Sequence, residues 1–452
     1  MQLKLHMVTI EDLVPQAHFL RKLDATLDLS FVREEAASLY SKRYGRPAID
    51  PVVLVKYLLL GYLYGIPSER QIEVQCRERM SFRWYLGLDI DSPIPDHSTI
   101  SQNRRRRPKF RKLFRRLFEE VVRQCVTAGL VSGRLIATDS THVKACASRS
   151  SEYLEDAPET PGAYWERLDH YEEEGLAILE QKIGHRREKR AKQVQKYHKH
   201  PQRRVSRTDP ESGHLNRPGK PKGPHYLCHT SLDTDHGVIL SVVTTPGNVN
   251  DSTPYLAQLE QIHQELLPIQ AATADAAYDI PLAHRVLEDY GISFHVRPQK
   301  QGQSPSDKFQ LNHFFYDQAQ DCFHCPAGKP LRLNTLRRGE SGLYWVYVAE
   351  KKDCKSCPLR AQCLSEKDRR GARKIERNYF APAVERDCSR LDTPAYQEAL
   401  RKRQIWCEGT FAAQKWGNNL TRILRRGLEA AEDHCLLSAT ALNLKRMIRC
   451  LG

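Results

Sequence analysis

The chain has 452 residues, with 70 Lys and Arg against 55 Asp and Glu and a formal net charge of +15. That length allows two or three domains with at least one sizeable core, and the cationic excess favours a polyanionic partner. No apolar run approaches the roughly 18–20 residues that span a bilayer, and Met1–Val14 carries Glu11 and Asp12 where a signal peptide has its apolar core, so a cytoplasmic setting without a membrane partner is expected, with the 13 cysteines as thiols or metal ligands instead of disulfides.

Residues 1–130 read as helical. Val52–Tyr64 is mostly apolar and free of Pro, and Ser68-Glu-Arg-Gln71 has the pattern of a capping box opening a helix to about Arg79. Pro95-Asp-His-Ser-Thr99 reads as a turn leading into a polar helix, with Ser98 as its N-cap. Two short helices across a turn suit a helix-turn-helix-like DNA reader, or an ordinary helical bundle. Next comes a basic run: Arg104, Arg105, Arg106, Arg107, Lys109, Arg111, Lys112, Arg115 and Arg116, nine basic residues in thirteen positions. Phe110, Leu113, Phe114 and Leu117 supply an apolar stripe at helical spacing, which leaves the basic side chains as a phosphate-binding face.

Residues 131–300 carry strand signals. Arg134–Asp139 and Ala271–Asp275 are short apolar runs ending in an acid, and Tyr226–Asp233 with Gly237–Thr245 reads as an antiparallel pair. A polar insertion, 146–224, interrupts this part. Tyr164–Lys199 looks helical, and Pro201–Pro224 is rich in Pro, Gly and Arg. From Lys182 to Lys222 there are 14 Lys/Arg against 3 Asp/Glu, the composition of a flexible or DNA-ordered arm.

Residues 301–375 hold Cys322, Cys325, Cys354, Cys357 and Cys363. Two CxxC pairs about 30 residues apart suit a zinc ribbon, in which structural Zn²⁺ gives a small polar segment the core it lacks. Cys363 either replaces one ligand or stands aside. Residues 376–452 return to helix, with Glu408 and Lys415 sharing a helix face and an amphipathic segment from His434 to Ile448. On pattern alone, Asp139 and Asp275 fit turn residues as well as catalytic acids, and Glu408 fits a surface ion pair.

In order along the chain, Tyr44-Gly-Arg-Pro47, Gly61–Gly65, Ser68–Arg70, Phe82–Leu88, Pro95–Thr99, Asp139–Ala145, Thr245–Ser252, Ala274–Asp279, Glu408 with Phe411 and Lys415, Arg425–Gly427 and Asn443–Lys445 resemble the DDE transposases of bacterial insertion sequences. The resemblance implies an α/β fold: a ribonuclease H-like mixed sheet flanked by helices, with a helical N-terminal DNA-binding domain (1–130), a core (131–300) broken by the basic insertion, a Cys-rich insertion (301–375) and C-terminal core helices (376–452). It implies that Asp139, Asp275 and Glu408 form the catalytic triad and hold two Mg²⁺ or Mn²⁺ ions. It places the second acid at Asp275 and not at Asp279, and puts Lys415 near the DNA ends. Where the family often has Tyr and Arg, seven and four residues before the Glu, this chain has Arg401 and Gln404, which leaves Arg403 as the candidate arginine. Double-stranded DNA (terminal inverted repeats and target), a homodimer or larger synaptic complex, and a place at the bacterial nucleoid follow from the resemblance. The rival readings are a metal-dependent nuclease without strand transfer and a non-catalytic DNA-binding derivative.

Overall fold

The computed structural model describes residues 7–37, 49–106, 109–156, 163–184, 202–299, 308–339, 342–365 and 371–451. The Tyr44–Pro47 motif, the arm residues 185–201 and the side chains of Arg105, Arg106 and Arg107 lie outside the described residues. The fold is mixed α/β and divides into two units. Among the described residues no helix is long and apolar enough to cross a membrane.

The first unit comprises Met1–Glu155, Arg203–Tyr278 and Pro394–Gly452. Its helix Pro51–Leu63 starts with Asp50 accepting the Val52 amide at 2.8 Å and Pro at the first position, where a missing N–H costs nothing. The run from Leu58 to Leu63 is buried without a polar face. Helix Glu69–Glu78 is capped by Ser68, as the capping pattern predicts. For helix His97–Arg106 the cap differs: Asp96, not Ser98, accepts the Ser98 amide at 2.7 Å. In helix Lys109–Thr127, Leu113, Phe114 and Leu117 are buried while Lys112, Arg115 and Arg116 are exposed, as the stripe requires.

Strands in this unit run in the order Gln202–Ser206, Gly213–Leu215, Gly223–Asp233, Ile136–Lys144, Ala271–Ala274, and Ile239–Pro246 also pairs with Gly223–Asp233. The hairpin matches expectation; its turn uses Gly237 at φ +73°, where a side chain would also strike Trp406. Two readings change. Pro201–Pro224 is not a flexible arm in its described part, because strands 202–206 and 213–215 join the sheet. The segment His434–Ile448, expected to be amphipathic, lies in helix Leu428–Leu451, which is buried around most of its girth, against helices 51–63 and 109–127 and strand 239–246. Asn443 fixes its register by accepting the Ile239 amide and donating to the Ile239 carbonyl, both at 2.8 Å.

The second unit comprises Asp156–Gln202 and Asp279–Thr393. It has helices Ala163–Ile183, Pro281–Asp289 and Ala381–Cys388, and a five-stranded antiparallel sheet. That sheet runs Lys374–Asn378, Gly342–Ala349, Pro330–Gly339, Cys322–His324, Phe315–Asp317. Its small core is Phe314, Phe323, Leu331, Tyr347, Ala349 and Ile375. Elsewhere in the unit, buried His284 lies between Asp279 (2.8 Å) and Asp387 (2.6 Å). Both carboxylates hold the imidazole above its ordinary value, although burial opposes the charge.

Candidate active site

Strand Ile136–Lys144 runs parallel to Ala271–Ala274, with Ala137 opposite Thr273. Two residues further along each chain, that register brings Asp139 level with Asp275. Asp139 does not end its strand, because Thr141 and Val143 carry the extended backbone on to Lys144. Asp275 does follow its strand directly, and its carboxylate accepts the Ala277 amide at 2.9 Å. Asp279 is committed elsewhere, to His284 and to the Gln299 amide at 2.7 Å, so of the two neighbouring acids only Asp275 faces Asp139.

Helix Pro394–Gly417 packs on both strands and carries Glu408, which is exposed, beside buried Cys407. One turn earlier, Arg403 reaches the acids: its guanidinium donates to Asp139 at 2.6 Å and stands 3.8 Å from Asp275. Burial opposes the charge on Arg403, but Asp139, Cys407, Asp275 and Glu408 together hold its pKa above the ordinary value. Burial pushes Asp139 up to about 6; Arg403 opposes that rise and Asp275 adds to it. Arg403, expected as a DNA contact, is therefore the internal counter-ion of the acids.

A second carboxylate network supports the first. Ser140 donates its amide to Asp139 (2.7 Å) and its hydroxyl to Asp251 (2.8 Å). Asp251 is clamped by Arg217 through bonds of 2.5 and 3.1 Å, and Arg217 also donates to the Val249 carbonyl at 3.0 Å. Sequence reasoning missed the Arg217–Asp251 pair. The signal available was an unpaired Asp inside the Asn248–Ser252 motif and an Arg in what read as a loose arm.

Beyond Glu408 the site turns basic. Lys415 is half-buried, its pKa held down by burial and by Lys220. His142 is pushed down to about 4 by burial and by Lys415, His225, Lys220 and Arg217. Lys415 and Lys220, beside the uncharged imidazole of His142, make a surface that gains from an added polyanion. Trp416 beside Lys415 is 91% exposed.

The N-terminal basic run divides differently from expectation. Arg104 is only 7% exposed; it pairs with Glu69 at 2.5 Å and lies over the Phe114 ring at 5.7 Å. Its guanidinium ties helices together and does not face a phosphate backbone, which corrects its expected role. Glu73, Asp96 and His97 have ligand-type atoms within 4.8 Å of one another, but Glu73 is occupied by the His97 amide and ring and by Arg77; this is a cap joining helices 69–78 and 97–106.

Of the five cysteines, Cys325, Cys354 and Cys363 pack on the small core of the five-stranded sheet, Cys322 is buried beside His324, Sγ to Nε2 3.6 Å, and Cys357 is half-buried between the two short helices. All 13 cysteines are free thiols.

Residues 8–106 match the family described as a transposase domain (DUF772), and residues 324–448 match the transposase DDE domain. Glu408 and Lys415 fall inside the second match. No curated protein sequence matches the chain. A cryo-EM structure of the piggyBac transposase synaptic complex with hairpin DNA is similar over 96% of this chain and 74% of that one, at 8% identity and a TM-score of 0.32, a likeness too low to define the fold.

Proposed function

We propose that the chain, which matches a transposase domain over residues 8–106 and a transposase DDE domain over residues 324–448, is a DDE transposase that cleaves DNA at the terminal inverted repeats of an insertion sequence and transfers the freed 3′-hydroxyl to target DNA. The observation that carries the reading is the meeting of Asp139 and Asp275 on adjacent parallel strands, around a cation, beside the Glu408 helix. A ribonuclease H-like core is the reading this arrangement supports.

The donor set fits a hard divalent ion, because the acids offer oxygens and already gather around one positive group, Arg403. Asp139, Asp275 and Glu408 would hold two Mg²⁺ or Mn²⁺ ions, whose chemistry when bound is to activate the attacking hydroxyl or water and stabilise the leaving oxygen. The chain's own residues prepare this. Ser140 orients Asp139, and Arg217 offsets part of the charge of Asp251, a further carboxylate that raises Asp139. Lys415, Lys220, His142 and His225 receive the phosphates next to the acids. Cleavage and strand transfer are both in-line displacements at phosphorus, so one triad serves both. Two DNA ends must be held together, which requires a dimer or larger assembly, acting in the cytoplasm on nucleoid DNA.

The test pairs Asp139→Asn with a labelled inverted-repeat duplex and a precleaved version of it. End binding should persist while cleavage and strand transfer disappear. Cleavage by the variant at the wild-type rate would overturn the triad, and cleavage without transfer of precleaved ends by the wild type would leave a nuclease.

A further inference from the structure

The Cys-rich segment belongs to the second unit and serves no step above. Its first CxxC pair is split by the strand that carries it. Cys322 and His324 lie on one face of strand Cys322–His324, while Phe323 turns to the opposite face and into the core on which Cys325 packs. Cys325 opens a tight turn: its amide donates to the Lys329 carbonyl at 3.0 Å, the Gly328 amide returns to the Cys325 carbonyl at 2.7 Å, and the Lys329 amide points at the Cys325 sulfur at 3.3 Å. Gly328 sits at φ +73°, which the turn demands. A second sulfur is addressed in the same way, with the Arg373 amide 3.5 Å from Cys354 Sγ.

Cys354 lies on the short helix Lys351–Lys355, Cys357 follows it, and Cys363 closes the helix Arg360–Cys363. Cys325, Cys354 and Cys363 pack on the same small core. Arg373 joins Cys354 to Cys363, donating its guanidinium to the Cys363 carbonyl at 3.0 Å. Arg360 joins Cys354 to Cys357, donating to their carbonyls at 2.7 and 3.1 Å, whereas the Cys322 sulfur lies against His324. We infer that Cys325, Cys354, Cys357 and Cys363 form a structural zinc site, and that Cys322 takes no part in it.

Four thiolates from a turn and two short helices are the donor set of a tetrahedral site. Backbone amides aimed at two of the sulfurs stabilise the negative charge that ligation creates. Binding releases the thiol protons, so affinity rises with pH. Among the described residues no three of these sulfurs lie within 4.8 Å of one another. Convergence of the four sulfurs is what the bound ion itself would supply. The core they cover has six buried residues, a small apolar stock for a sheet of five strands, and a metal crosslink supplies what it lacks.

The experiment uses the full chain carrying Asp139→Asn, which removes a carboxylate from the other candidate metal site. Zinc is counted by mass spectrometry after exhaustive dialysis, and Co²⁺ is then exchanged in. The expected result is about one zinc per chain and the intense thiolate-to-Co²⁺ absorption of a four-sulfur site. Cys322→Ser should keep both. Cys325→Ser and Cys363→Ser should each lose most of the zinc or, where some ion is retained, show a weaker thiolate band. Zinc well below stoichiometric in the parent, or loss of zinc from Cys322→Ser with retention in Cys363→Ser, would overturn the assignment. Zinc content does not depend on DNA cleavage, so this result stands or falls apart from the transposase reading.

Discussion

Arg403 is positioned to compete with the ions the acids would hold. Its guanidinium contacts Asp139 at 2.6 Å and lies 3.8 Å from Asp275, and the side chains of Arg403 and Asp139 are each 17% exposed. Two unit charges 4 Å apart attract by about 4 kcal/mol at an effective dielectric of about 20. Most of that is offset by the cost of keeping both groups from water, which leaves about 1–2 kcal/mol that an entering cation must displace. Arg403→Gln keeps a hydrogen-bonding side chain and removes the charge. The variant should therefore bind Mn²⁺ about 5–30-fold more tightly in the absence of DNA, at about 1.4 kcal/mol per tenfold. Free Mn²⁺ measured by its paramagnetic resonance signal gives the affinity without relying on turnover. Unchanged or weaker Mn²⁺ binding by Arg403→Gln would show that the guanidinium does not occupy the ions' place.

Asp139 gives a pH-dependent expectation. Its folded pKa, about 6, is above the unfolded value, so the stability linked to its protonated form is present below about pH 4 and is lost as pH rises through about 6. Without metal, Asp139→Asn should melt higher than wild type at pH 8, by roughly 1–3 kcal/mol of stabilisation, with the gain vanishing near pH 4; equal melting at both pH values would contradict the burial argument. His284 has the opposite chemistry but the same sign: its charge stabilises the second unit below the ordinary histidine value, and that contribution is lost as pH rises through the elevated folded value. His284→Phe removes the cation between Asp279 and Asp387 but leaves Asp387 its pairing with Arg390 and Asp279 the Gln299 amide, so it should cost about 1–3 kcal/mol at pH 7, read as earlier proteolysis within the second unit; unchanged proteolytic resistance would refute it. At the basic end, Lys415→Ala should lower the salt dependence of end binding by about one charge. Trp416→Ala should weaken binding by about 1–3 kcal/mol if a base stacks on the exposed ring, and filter binding at several salt concentrations separates the two effects.

The sequence was most informative where pattern and packing coincide. Ser68 caps its helix, Leu113, Phe114 and Leu117 face inward, and the hairpin turns at Gly237 because each rests on a local rule. The ordered motifs also singled out Asp275 over Asp279, and it is Asp279 that is bonded to His284. What stayed hidden depends on distant partners. A basic run does not reveal that Arg104 meets Glu69, thirty-five residues away. Arg217 looked like part of a mobile arm because its carboxylate, Asp251, lies in another motif. The segment His434–Ile448 read as amphipathic, but the neighbours that cover it on most sides are remote in sequence, and Arg446 is drawn inward to the Gly237 carbonyl and the Thr410 hydroxyl (2.7 Å). Arg403 read as a DNA contact because neither strand register nor helix rotation can be read from a single chain.

Helix Leu428–Leu451 fills the middle of the first unit, against helices that begin near residue 51 and a strand that ends near residue 246. During synthesis those earlier elements must wait, with their apolar faces open, for a helix made about 180 residues later. A ribosome that stalls before residue 400 has produced Asp139 and Asp275 but neither Glu408 nor the helix that completes this core. The three acids thus meet only as the long helix that fills the unit is being made, so that assembly of the site and closure of the core belong to the same late stage of folding.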